Sequence, residues 1–127
     1  MLDYLKRMSW IIPVLFLLSA CSAGTQGEDP AAIQVELVSE PVSAAVMQKI
    51  TLTAQVTGLV KKEGTTVQFD IRSPEKDARP RYVETKEIGK DSYTAEQSFD
   101  KPGTYTIYIH IYREDLHVTK KKQLVVS

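Results

Sequence analysis

A chain of 127 residues with 16 Lys and Arg against 16 Asp and Glu, two His and one Cys is sized for one domain, because domains take on the order of 100–200 residues. Formal neutrality excludes a dedicated nucleic-acid binder, which carries a basic stripe and a high pI. One Cys excludes an intramolecular disulfide and a Cys-rich zinc or iron–sulfur site. What that cysteine is for is the question the composition leaves open.

Lys6 and Arg7 form a short basic segment ahead of the uncharged apolar run Trp10-Ile11-Ile12-Pro13-Val14-Leu15-Phe16-Leu17-Leu18. The run is about half the ~20 residues that a transmembrane helix needs and it ends in small residues, which is the pattern of a secretory signal peptide over residues 1–20. Its end, Leu18-Ser19-Ala20-Cys21, resembles the lipobox of bacterial lipoproteins in all four positions. That resemblance implies cleavage before Cys21, acylation of its thiol and a new N-terminus there. Several acyl chains at roughly 0.8 kcal/mol per buried CH₂ anchor a protein stably. The alternative is a plain signal peptide with an incidental free Cys near the cut. Processing at Cys21 removes Asp3, Lys6 and Arg7 and leaves a near-neutral chain with no later apolar run long enough to span a bilayer. The expectation is a protein held by lipid on the extracytoplasmic face of a cell membrane.

Residues 22–32 read SAGTQGEDPAA, small and polar with two Gly and a Pro, and they are expected to form a flexible tether behind the lipidated Cys21. As a random coil this segment has an r.m.s. reach of roughly 17–20 Å. From residue 33 to 127 the period is two. Ile33, Val35 and Leu37 alternate with Gln34 and Glu36; after Pro41, Ile50, Leu52, Ala54 and Val56 alternate with Thr51, Thr53 and Gln55. Lys61-Lys62-Glu63-Gly64 reads as a turn into Val67, Phe69 and Ile71. Residues 73–80 are charged, carry two prolines and read as a loop, and residues 81–88 read as one shorter, exposed strand. Gly89-Lys90-Asp91 turns the chain into Tyr93, Ala95, Gln97 and Phe99; Pro102-Gly103 turns it into Tyr105, Ile107, Ile109 and Ile111; a last strand covers about 118–126.

Seven short strands with turn residues between them predict an all-β fold, an antiparallel β-sandwich of immunoglobulin-like type, with a prealbumin-like or cupredoxin-like sandwich as the other topology. Gly103 and Tyr105, two apart at the entry to a late strand, resemble a tyrosine corner. Tyr105 is equally readable as the first core residue of its strand.

Enzymatic constellations are mostly absent: no Gly-rich phosphate loop, no G-x-S-x-G, no H-E-x-x-H and no calcium loop. A non-catalytic binding domain that docks an unidentified envelope protein is therefore the expected function. The carboxylates sit on alternating polar faces and read as solvated surface. Lys120-Lys121-Lys122 reads as the guard of an edge strand or as a contact for anionic headgroups. His110 falls on the face of Thr106, Tyr108 and Tyr112, opposite the Ile107/Ile109/Ile111 core face. His117 follows Arg113-Glu114-Asp115-Leu116, which reads as a hairpin loop. If that loop is tight, His110 and His117 lie on neighbouring strands, where two neutral imidazoles and a third ligand can hold a copper or zinc ion. Met47, the remaining thioether beyond Cys21, is far away in sequence.

The chain over residues 33–127 resembles the YtkA-like domain of bacterial lipoproteins, a group related to the FixH family, closely from Val67 to Val126 and loosely in the first strands. The similarity is carried by Phe69 and Ile71, the charged loop, Val83-Glu84-Thr85-Lys86, Ser92-Tyr93, then Phe99, Gly103 and Tyr105, the histidine strand, Leu116-His117 and the ending Lys121, Lys122, Val125 and Val126. It implies a small immunoglobulin-like sandwich on a cell-surface lipoprotein. The link to FixH-like proteins, which are associated with assembly of copper-containing respiratory oxidases, implies a role for His110 and His117 as copper ligands. The family pattern places a Met near the second histidine and a Met or His in the Glu-rich segment. Here Val118 and Thr119 follow His117, and Tyr82 stands in that segment, so the soft ligands that favour Cu(I) are missing.

Overall fold

The computed structural model describes residues 28–127; the expected leader over 1–20 and the expected lipidation site at Cys21 lie outside the described residues. A 3₁₀ turn at Pro30–Ala32 leads into β1 (Gln34–Glu40), β2 (Ile50–Thr57), β3 (Thr66–Arg72), β4 (Arg81–Glu84), β5 (Lys86–Gly89), β6 (Ser92–Gln97), β7 (Gly103–Arg113) and β8 (Leu116–Val126). Two antiparallel sheets, ordered β1-β2-β6-β5 and β4-β3-β7-β8, face each other. The fold is the all-β, immunoglobulin-like sandwich that the period of two predicts: one sheet has the A-B-E-D order and the other C-F-G with an added edge strand, β4.

The inward positions are those picked out by alternation. Ile50, Leu52, Ala54 and Val56 of β2 face Val67, Phe69 and Ile71 of β3 and Ile107, Ile109 and Ile111 of β7 across the core, all essentially inaccessible to solvent. Tyr105 does both things read for it. Its ring is buried 4.6 Å from the Phe99 ring, and its hydroxyl donates to the Lys101 carbonyl at 2.7 Å. That is a tyrosine corner at the start of the F-equivalent strand.

Two expectations change. Residues 81–88 form not one strand but two, which brings seven expected strands to eight. β4 pairs with β3 (Gln68 opposite Glu84), and β5 pairs with β6 in the other sheet (Lys86 opposite Thr94). Thr85 makes the crossing between sheets, donating both its amide (3.3 Å) and its hydroxyl (2.7 Å) to the Val67 carbonyl. The second change concerns the tether. Residues 28–32 are attached to the sandwich: the Ala32 carbonyl packs so close to Gly58 (φ +92°) that a Cβ there would lie 2.1 Å from the oxygen.

The registers define two poles. Residues 28–33, the loop 58–65, the turn 90–91 and the hairpin 114–115 cluster at one; residues 41–49, 73–80, 98–102 and the C-terminal end of β8 cluster at the other. Among the described residues no helix is long and apolar enough to cross a membrane.

Candidate functional site

The two histidines meet. β7 and β8 are joined through a two-residue loop, with Arg113 opposite Leu116, so Tyr112 pairs with His117 and His110 with Thr119. His110 and His117 are thus diagonal neighbours on the outer face, close enough for long side chains to touch. His110 Nδ1 lies 3.2 Å from His117 Nε2 and 3.0 Å from the Thr119 hydroxyl. The His117 ring stacks on Tyr112, centroids 4.4 Å apart. The contact between the rings takes one nitrogen as donor and the other as acceptor, while the Thr119 hydroxyl can play either part.

Behind His110 sits a carboxylate that alternation alone reads as solvated. Asp70 is on the outward face of β3, yet it is only 2% exposed. Arg72 clamps it with two hydrogen bonds, Nε to Oδ1 at 3.1 Å and Nη2 to Oδ2 at 2.8 Å, and the Arg72 guanidinium lies over the Tyr108 ring at 5.1 Å. The hydrogen bonds from Arg72 hold the Asp70 carboxyl below its ordinary pKa despite burial, with His110 adding to the effect. His110 Nε2 is 3.7 Å from Asp70 Oδ2, beyond hydrogen-bond length. The sequence signal for this group was the charged pair at 70 and 72 on one face of a strand opposite tyrosines.

The two ring nitrogens have the spacing of two ligands to one ion. Two nitrogens bound to one tetrahedral ion at ~2.0–2.1 Å lie about 3.3 Å apart, close to the observed 3.2 Å. A carboxylate behind a ligating histidine is the usual outer partner. Yet among the described residues no three His, Cys, Asp or Glu side chains converge, so further ligands would come from solvent, the Thr119 hydroxyl or a partner. Met47 is 76% exposed at the opposite pole and contributes nothing here.

β8 is an edge strand. Lys120 and Lys122 fall in the inward series of Val118 and Leu124 and are half-buried, while Lys121 points outward and is exposed. Inward charges on an edge obstruct pairing with another chain, which matches the guard reading of the lysine run.

The sequence reading missed a second buried ionic group, at the first pole. Both oxygens of Glu28 accept backbone hydrogen bonds, from the Val60 and Lys61 amides at 3.0 Å each. Arg113 Nη2 donates to the same carboxylate at 3.3 Å, and Arg113 Nε donates to the Lys61 carbonyl at 3.2 Å. Burial pushes the Glu28 carboxyl up, but the two amides and the charges of Arg113 and Lys61 outweigh it and leave the pKa lowered.

Compared with protein-family models and with curated proteins, the chain matches none.

Proposed function

We propose that the protein is a lipid-anchored extracytoplasmic lipoprotein whose sandwich is a non-catalytic binding module, docking another envelope protein through the outer face of β4-β3-β7-β8. The observation that carries this reading is the make-up of that face. Tyr82, Arg72, Tyr108, His110, Tyr112 and His117 stand on four adjacent strands, and Tyr and Arg are the residues from which interface hot spots are drawn. Tyr82 is 59% exposed. A rigid sheet presents such side chains with little entropy left to lose on binding. The lipobox-like Leu18-Ser19-Ala20-Cys21 supports the membrane location. Affinity capture from detergent-solubilised membranes tests it: a Tyr112→Ala/His117→Ala variant loses the partner that the parent protein retains. Equal recovery by both overturns the face. A Cys21→Ala protein that is still processed and membrane-bound overturns the anchor.

The 3.2 Å contact between the imidazoles favours a second reading, a metal-handling module related to respiratory oxidase assembly that binds copper or zinc through His110 Nδ1 and His117 Nε2. The imidazole donors suit Cu(II) and Zn(II) better than Cu(I) in the absence of a thioether. Titration of the purified domain with both ions, beside a His110→Ala/His117→Ala variant, decides it. Identical weak binding by the two proteins overturns the reading.

A further inference from the structure

We infer that the pole fastened by Glu28 and Arg113 is the bilayer-facing end of the domain, a lipid surface being what it meets. The inference rests on lipidation at Cys21 and adds an orientation to it. Glu28 is no loose part of a tether: its side chain is fully buried, that of Arg113 is 5% exposed, and the carboxylate takes two amides and a guanidinium from the pole. The close packing of the Ala32 carbonyl on Gly58 holds the same segment a second time.

Lengths then decide the orientation. Whatever its conformation, the chain from Cys21 to Glu28 spans at most about 25 Å. β7 and β8 run from pole to pole, each 11 residues long, which is about 35 Å at ~3.4 Å per residue. With the far pole against the membrane, Glu28 would stand about 35 Å above it, out of reach of its own anchor. A tether free as far as residue 32 would reach about 40 Å and permit that inversion. The buried ion pair therefore removes the inverted orientation.

Electrostatic adsorption is not needed for this. Lys61, Lys62 and Lys90 at the pole are offset by Asp29, Glu63, Asp91, Glu114 and Asp115, and Lys62 is already paired with Asp91 at 2.7 Å. The orientation should thus be indifferent to anionic lipid. It also brings the Tyr112–His117 pair, next to the hairpin at this pole, close to the bilayer.

The test uses the lipidated protein bound to phosphatidylcholine vesicles that carry a small fraction of gadolinium-chelate headgroups, read by amide NMR relaxation. Gly64, Lys90 and Glu114 are expected to relax several-fold faster than Met47, Asp77 and Lys101, with or without added phosphatidylglycerol. A Glu28→Ala variant, and a protein with about ten Gly/Ser residues inserted between 24 and 25, are expected to lose most of that difference; the insertion leaves the ion pair intact. A bound parent protein with no difference, or with the far pole relaxing faster, overturns the inference. Protein that carries no lipid on Cys21 by mass spectrometry and stays off the vesicles overturns the lipoprotein assignment instead.

Discussion

The carboxylate of Glu28 and the guanidinium of Arg113, 85 residues apart in the chain, meet at 3.3 Å inside one pole of the sandwich. This contact joins the segment that follows Cys21 in the sequence to the end of β7. A buried pair of this kind costs most when one partner is removed, because the other is left charged and unpaired. Arg113→Leu is therefore expected to lower stability by about 3 kcal/mol, measured by chemical denaturation of the domain.

Acid sensitivity follows from the same residue and from Asp70. Both carboxyls have folded pKa values below their ordinary ones. Each contributes stability that is complete above the unfolded value and lost as pH falls through the lowered folded value. The melting temperature is expected to be flat near neutrality and to fall below about pH 4.5. Asp70→Asn should flatten part of that fall; a melting temperature that rises on acidification contradicts the assignment.

Gly58 holds the entry of the domain. Its φ of +92° and its closeness to the Ala32 carbonyl leave no room for a side chain. Gly58→Ala should cost more than about 1 kcal/mol and raise amide exchange at Ile33, whose amide bonds to the Pro30 carbonyl.

Tyr105→Phe keeps the ring on Phe99 and removes the hydrogen bond to Lys101. A loss of about 1 kcal/mol is expected, with little change in the core as judged by near-UV circular dichroism. A neutral substitution would mean the corner contributes only packing.

How much of this was legible in the sequence depends on what sets each feature. The inward residues of β2, β3 and β7 followed from alternation, because a half-buried strand has a period of two. The meeting of His110 and His117 was legible as a conditional: it needed a tight hairpin, and Arg113 opposite Leu116 supplies one. The break at Thr85 was not legible. β4 and β5 are exposed or half-exposed throughout, so no apolar period marks which sheet each joins. Asp70 and Glu28 were misread for a related reason. Outward carboxylates are usually solvated, and alternation places Arg72 beside Asp70 without showing that it clamps the carboxylate; Glu28 lies in the segment read as tether, and its partner Arg113 is 85 residues away.

The central claim, that the outer face of β4-β3-β7-β8 is the binding face of a membrane-anchored protein, is tested most directly by position-specific photo-crosslinking in intact cells. A photoreactive residue at Tyr112 should give a discrete adduct with an envelope protein that disappears in the Cys21→Ala protein, while the same residue at Thr53, on the outer face of the other sheet, should give none. Equal adducts from both positions, or an adduct from Thr53 alone, would contradict it.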